Sequence, residues 1–391
     1  MTSDNPASDQ EGTRLKLGVF GRSRKENELR LPVHPAHFER IDPELRGSIY
    51  LEQGYGSHFG ASDAGLEELV AGTRSQEELI EECNVILLPK PVHEDVERFR
   101  DGQVLWGWPH LVQDFELTQM AIDKKLTIIA WESMNHWQHD GSFGVHVFHK
   151  NNELAGYCSV LHAMQLQGTT GAYGPHLKAT VISFGATGRG AVTALNAMGV
   201  LDVTVLTHRD PAAVESPIPS MELIHFSRDD QDESRVLVHL EDGVTKLADF
   251  LSGQDLVVNC VLQDTDRPYM FLTRDELDAL EPGSLIIDVS CDEGMGFEWA
   301  RPTSFEDPMF EVENQVHYYA VDHSPSYLWN SSTWEISEAL LPYLGTVING
   351  PEAWGNDETI DKAIEIREGR VRNPKILSFQ KRAETHPYEP T

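Results

Sequence analysis

Short apolar runs with strand character recur along this chain, separated by segments with helical spacing, and this alternation constrains the fold more than any other feature. In the first third the runs fall at residues 15–20, 48–53, 84–90, 104–110 and 126–131, and SDAGLEELVAGTRSQEELIEE, between the second and third, is helical in pattern. A polar stretch rich in His and Asn (135–152) follows, then a long amphipathic helix, LAGYCSVLHAMQLQG (154–168). A second series begins there, with strands expected at 179–185, 201–207, 256–262, 284–290 and 317–322 and helices near 331–345 and 358–367. Strands that alternate with helices predict parallel sheets covered on their faces. The expected fold is therefore α/β, with two doubly wound, mostly parallel Rossmann-like domains and a cleft between them. Ligands are expected at the carboxyl ends of the strands.

A length of 391 residues supports two such domains. The expected division is a disordered tail over 1–13, a discontinuous substrate domain over 14–152 plus 322–391, and a dinucleotide-binding domain over 153–321. Asp and Glu number 63 against 31 Lys and Arg, a formal net charge of −32. A field of that sign repels phosphate backbones and anionic lipid surfaces, so neither nucleic acid nor membrane is expected as a partner. The acidic, polar start MTSDNPASDQEG lacks the basic and apolar regions of a secretory signal, and no apolar run is long enough to span a bilayer, so a cytoplasmic location is expected. Cys83, Cys158, Cys260 and Cys291 are scattered without paired spacing and read as reduced thiols.

The strongest local signal is ATVISFGATGRGAVTALNAMGVLDVTVLTHRD (179–210). An apolar strand runs into a small-residue turn, an Ala-rich helix and a second apolar strand, the first half of a dinucleotide-binding βαβ unit. Gly185 and Gly188 fit the second and third glycines of the fingerprint, and Ser183 replaces the first. Ser183, Gly185, Thr187 and Gly188 are the expected contacts to a pyrophosphate, which such turns hold with backbone N–H groups and a helix N-terminus. An NAD site usually places a carboxylate at the end of the second strand, to accept from the ribose 2′-OH. Here Thr207, His208 and Arg209 stand there, and a guanidinium suits a 2′-phosphate. NADP(H) is the expected cofactor, preferred over NAD(H).

The remaining candidates are polar residues at strand ends: Arg30 in RSRKENELRLPVHP, Lys90 in ILLPK, His110 in WGWPH, and Asp288 and Asp292 in IIDVSCDEG. NHWQHDGSFGVHVFHK holds four histidines, but no acidic or thiol ligand is spaced with them, so no metal is expected. Together, KENELRLPVHP, the lysine ending ILLPK, WPH, IIDVSCDEG and FEWARPTSFEDP resemble the alanine dehydrogenase and transhydrogenase N-terminal-domain family. Within it, GWPH, DKKLTIIAW, FHKNNELAGYCSVLHAM and the basic turn after the second nucleotide strand look closest to the N5-(carboxyethyl)ornithine synthase branch. The resemblance covers about 15–345, and no role is transferred to the segment after 346.

The resemblance implies that Arg30 grips the carboxylate of a 2-oxo acid, with Lys90 beside it. It also implies that His110 is the general acid/base and Asp292 a catalytic aspartate from the nucleotide domain. The chemistry is coherent, because a 2-oxo acid needs a cationic clamp and reductive amination needs a proton donor that titrates near neutrality. His323, in YAVDHSPS, stands where the family usually has asparagine; it is taken to contact the nicotinamide or the amine substrate, or else to be a core histidine. The implied activity is NADPH-dependent reduction of the imine formed from a 2-oxo acid such as pyruvate and the amine of an amino acid. Amination of the oxo acid by ammonia and a non-catalytic nucleotide-binding homologue are the alternatives, and a homo-oligomer is implied by the resemblance alone.

Overall fold

The computed structural model describes residues 14–209, 218 and 221–390, so the expected tail over 1–13 lies outside the described residues. The chain divides into two compact units, one of residues 1–25, 30–147 and 333–391 and one of residues 26–29 and 148–332.

The first unit opens with β1 (Leu17–Val19), β2 (Ile49–Glu52), β3 (Gly72–Arg74), β4 (Val85–Leu87), β5 (Val104–Gly107) and β6 (Thr127–Ala130), all paired in parallel in the order β3-β2-β1-β4-β5-β6. The order reverses between β1 and β4, the switch point at which open α/β sheets bind ligands. Expected runs and observed strands share their centres; the strands are shorter because each run continues into the loop at the carboxyl end. The segment taken as one helical pattern is broken: helices span Asp63–Glu67 and Gln76–Glu82, with β3 between them. Ser75 starts the second helix with a capping box closed by Glu78, which satisfies N–H groups that would otherwise lack partners. The His-rich stretch forms a hairpin, β7 (Asn135–Trp137) and β8 (Phe143–His146).

The second unit begins with the helix His149–Gln167 and continues through β9 (Lys178–Ile182), β10 (Asp202–Thr207), β11 (Glu222–Arg228), β12 (Val236–Leu240), β13 (Gly243–Lys246), β14 (Leu256–Asn259), β15 (Met270–Leu272), β16 (Leu285–Asp288), β17 (Gly296–Phe297), β18 (Met309–Val312) and β19 (Val316–Tyr319). The main sheet runs β13-β12-β11-β10-β9-β14-β16-β19-β18, parallel from β11 to β19 with antiparallel strands at both edges. Strand period puts Val181, Val205, Val258 and Ile287 in one core and Ile182, Leu206, Val257 and Ile286 in the other. Burial on both faces is why these strands read as continuous apolar runs.

The chain then re-enters the first unit through the helices Trp329–Leu340, Leu344–Ile348, Pro351–Asn356 and Glu358–Ala363. The helix expected to continue to 367 stops at Ala363. β20 (Ile364–Arg367) pairs antiparallel with β6 and turns back into β21 (Arg370–Val371). Among the described residues, no helix is long and apolar enough to cross a membrane.

Two helices of the second unit, His149–Gln167 and Ala186–Ala197, approach closely because glycines face each other's backbone. A Cβ on Gly156 would meet the Thr187 carbonyl oxygen at 1.9 Å, and one on Gly190 would meet that of Glu153 at 1.7 Å. Gly156→Ala is therefore expected to cost about 1–3 kcal/mol, the range for overpacking, and to lower the unfolding midpoint by several degrees. Gly47→Ala, at an ordinary right-handed φ of −65° with no atom within 4 Å of the new methyl, should leave the midpoint unchanged. Differential scanning fluorimetry on both variants checks the pair.

Candidate active site

In the first unit, three neighbouring strands deliver polar groups at their carboxyl ends. β4 continues through Leu88 and Pro89 to Lys90, β5 through Trp108 and Pro109 to His110, and β6 through Trp131 to Glu132. Leu88 N–H donates to the Trp106 carbonyl and Trp108 N–H to that of Pro89, which prolongs the β4–β5 pairing to the site. Gly107 permits this, because a Cβ there would lie 1.9 Å from the Leu88 carbonyl oxygen. Arg30 is buried, and its guanidinium lies over the Trp108 ring, 5.2 Å from the centroid. Trp108 packs edge-on against Trp131 at 4.6 Å, so the face supporting the guanidinium is itself held. A cation over an indole face keeps its in-plane N–H groups directed outward, the geometry of a carboxylate clamp.

His110 is exposed and has a φ of +50°, in the left-handed region, which costs about 1 kcal/mol for a side chain of this kind. Its backbone N–H donates to Glu132 Oε1 at 2.7 Å. A bond of this kind contributes about 0.5–1.5 kcal/mol and more when the acceptor is charged, enough to offset the strain and fix the loop. Glu132 is half-buried, with its Oε2 shut off from solvent. Burial and the nearby Glu365 hold its carboxyl well above the usual carboxylate range, against the pull of Lys90 and the His110 N–H. The loop after β1 is anchored by buried Glu52, which accepts from the backbone N–H groups of Gly21 and Arg22 at 2.8 and 3.0 Å. The structure thus brings Arg30, Lys90 and His110 to one end of one sheet.

In the second unit, Gly185 ends the turn after β9 and is the N-cap of the helix Ala186–Ala197. A Cβ on Gly188 would strike the Ser183 carbonyl at 2.3 Å, so that glycine serves close helix–strand packing. Gly185 differs: a Cβ there would meet nothing within 4 Å among the described residues. The space left over this helix N-terminus fits a pyrophosphate. Ser183 has a φ of +82°, and Thr187 lies in the first turn of the helix. Thr207 is buried at the end of β10, where its Oγ1 accepts from the Arg209 N–H, while the Arg209 guanidinium donates to the Phe184 carbonyl at 2.9 Å. Arg209 is thereby held over the glycine turn. Burial, Arg209 and His225 lower the pKa of His208 and favour its neutral form.

Asp292 is partly buried and close enough to Asp288 to raise its pKa. Asp288 ends β16. Asn259, from the neighbouring β14, donates to its Oδ1 at 2.8 Å, and the Tyr318 hydroxyl donates to its Oδ2. Burial raises the Asp288 carboxyl to about 7 in spite of these two donors. His323 is buried, with Nε2 donating to the Glu26 carbonyl at 2.6 Å and Nδ1 paired with the Asp322 carboxylate. Both ring nitrogens are engaged within the chain.

The family model "Alanine dehydrogenase/PNT, N-terminal domain" matches residues 21–150, and "Alanine dehydrogenase/PNT, C-terminal domain" matches 159–374. The chain belongs to the alanine dehydrogenase/PNT family. It is similar to an alanine dehydrogenase of Halomonas elongata, at 27% identity over 91% of this chain and 94% of the relative. It is also similar to an N(5)-(carboxyethyl)ornithine synthase of Clostridium botulinum, at 24% identity over 84% of this chain and 94% of the relative. A solved L-alanine dehydrogenase shares the fold with a TM-score of 0.71 at 20% identity, over 93% of this chain and 99% of that one. A transhydrogenase from Sinorhizobium meliloti does so with a TM-score of 0.68 at 20% identity, over 91% and 99%. Membership in an alanine dehydrogenase/PNT family of oxidoreductases extends to residue 374, past the point near 345 where the resemblance in the sequence ends, so β20 and β21 belong to the family domain.

Sequence reasoning missed Glu132, Glu365 and the Asn259–Asp288–Tyr318 cluster as participants. Glu132 carried a usable signal, since it follows the apolar run LTIIAW just as Lys90 and His110 follow theirs. The Asp288 cluster yields a test by linkage. A carboxyl that titrates near 7 when folded and at about 4 when unfolded keeps its proton only in the folded state between those values, so its contribution to stability is lost as pH rises through that window. Relative to the native protein, Asp288→Asn should gain stability as pH increases from about 4 to about 7. Unfolding midpoints measured across that range check this, and parallel curves would contradict it.

Proposed function

We propose that this family member is an NADP(H)-dependent amino-acid dehydrogenase of the carboxyethylornithine synthase type. It reduces the imine formed from a 2-oxo acid such as pyruvate and the amine of an amino acid. The observation that carries the reading is the convergence of Arg30, Lys90 and His110 at adjacent strand ends, a cationic clamp beside a proton donor. Arg30, braced on Trp108, takes the substrate carboxylate, and Lys90 adds positive charge next to the carbonyl oxygen. His110 protonates the hydroxyl of the carbinolamine so that it leaves as water, and takes up or returns the proton on nitrogen in the imine step. Asp292 is the catalytic aspartate that the resemblance implies, assisting His110 in proton transfer.

Ser183, Gly185, Thr187 and Gly188 would hold the pyrophosphate of the cofactor, and Thr207, His208 and Arg209 its adenosine end. When bound, NADP(H) supplies the hydride. The preference for the phosphorylated form is read from Arg209, which stands after β10 where a guanidinium suits a 2′-phosphate. His323 is withdrawn from the substrate contacts, because its nitrogens pin the 322–323 turn to Glu26. The substrate domain is proposed to comprise the first unit, and the assembly to be a homo-oligomer, as the resemblance implies.

The second reading, amination of the oxo acid by ammonia, is favoured by Lys90 and by the alanine dehydrogenase relative. Pyruvate and NADPH are incubated with ammonia or with a panel of amino acids, and loss of cofactor absorbance is followed. Turnover that requires an amino acid supports the synthase reading, and full activity with ammonia alone replaces it with the second. Arg209→Ala should lower kcat/KM for NADPH by about 10-fold or more while leaving NADH nearly unchanged, since a lost charge-assisted hydrogen bond is worth about 1.5–3 kcal/mol. His110→Ala should reduce kcat by about 100-fold or more with cofactor affinity intact, the usual contribution of a general acid. Retention of turnover would remove His110 from that role.

A further inference from the structure

We propose that Glu365, on the C-terminal strand, is a positioning residue for His110: it shares one proton with Glu132, and that shared proton sets the hydrogen bond that holds the His110 loop. The inference rests on the reading of His110 as the proton donor. Three observations of geometry lead to it.

First, β20 is irregular at this residue. Ile364 pairs with Ile129 and Ile366 with Ile128, so Glu365 is an extra residue in the strand. A bulge re-aims a side chain. Here it leaves Ile364, Glu365 and Ile366 all buried, where a regular strand would turn the middle one to the opposite face. Second, Glu365 is tied to the end of β6. Its Oε1 accepts from Ser133 Oγ at 2.6 Å and from Asn373 Nδ2 at 2.9 Å, and Ser133 follows Glu132 directly. Third, Glu132 Oε2 and Glu365 Oε2 are both buried, and neither has a hydrogen-bond partner among the described residues. Two buried carboxyls within electrostatic reach of one another cannot both ionise without a large cost, and one proton between them removes it. With the proton on an Oε2 atom, Glu132 Oε1 stays an acceptor for the His110 N–H.

The other charged groups around the pair are accounted for. Lys90, after β4, is the cation that acts on Glu132. Asp361, Lys362 and Arg372 line a cavity of about 330 Å³ together with Glu365. Arg372 pairs there with Asp361, and Lys362 with Glu358. Both cations of the cavity are thus held by other carboxylates, and the charge of Glu365 is managed by the proton.

The test is a pH titration of the His110 backbone amide in protein labelled with 15N-histidine, its resonance assigned with a His110→Gln variant, alongside the pH profile of kcat/KM. Glu365→Gln keeps an acceptor for Ser133 and Asn373 but removes the repulsion, so Glu132 should lose its proton more readily. The amide titration and the matching limb of the rate profile should both move to lower pH, by about one unit or more. Ser133→Ala removes a donor that stabilises ionised Glu365, so the pair should hold its proton more tightly and both midpoints should move to higher pH. Opposite shifts are not what local damage produces. Identical titrations in all three proteins would overturn the inference, as would amide shifts that the rate profile does not follow. A chain that aminates no oxo acid would sink the functional reading and leave the amide titration to decide whether the proton is shared. If Glu365→Gln does not fold, the upward shift in Ser133→Ala stands as the deciding measurement.

Discussion

The parallel pairing of β4, β5 and β6 is the constraint on which the candidate site depends. Each strand ends two or three residues before a group with chemistry, and the sheet sets how far apart those groups lie. The pairing is carried past the strands proper by the Leu88 and Trp108 hydrogen bonds, which need the bare backbone of Gly107. Any side chain at 107 would part β4 from β5 where Lys90 and His110 emerge. Arg30 comes from a different part of the chain, yet it is placed by the same strand through the Trp108 ring. The left-handed backbone at His110 is a second local cost, offset by the carboxyl of Glu132 at the end of the next strand. Strain at this loop is tolerable because the strands that flank it, β4 and β6, are fixed in the sheet.

The second unit treats charge in the opposite way. Where the first concentrates cations, this one buries Asp288 under an amide and a phenol and raises its pKa. The raised carboxyl carries less negative charge near neutral pH than an ordinary aspartate does, in a protein whose net charge is −32. The overall acidity works against polyanionic partners, and under the proposed function the local arrangement around Gly185 and Arg209 admits a phosphate-bearing cofactor.

Most of the fold was legible because parallel strands buried on both faces are short apolar runs, and their polar neighbours mark the carboxyl ends. Lys90 and His110 stand out as candidates for the same reason. β3 was not, since Gly72–Arg74 is three residues between two segments rich in Glu and Leu, where helical pattern dominates. β11 to β13 lie at the sheet edge, where polar residues alternate with apolar ones and the signal weakens. β20 escaped because it follows the helix Glu358–Ala363 without a glycine or proline and carries Glu365 inside a bulge. A buried carboxyl in an irregular strand has no periodic signature, and its meaning depends on Glu132, more than 230 residues earlier in the chain. His323 was ambiguous for the complementary reason: a histidine in a turn looks the same whether its nitrogens face a ligand or the backbone.

The proposed function stands or falls on delivery of the cofactor hydride to the carbon next to the substrate carboxylate. The direct measurement uses NADPH deuterated at the nicotinamide C4, with pyruvate and the amine that supports turnover, and locates the label in the product by mass spectrometry and NMR. The account predicts deuterium on the carbon that bears the new nitrogen, next to the carboxylate. A product without deuterium at that carbon would contradict it.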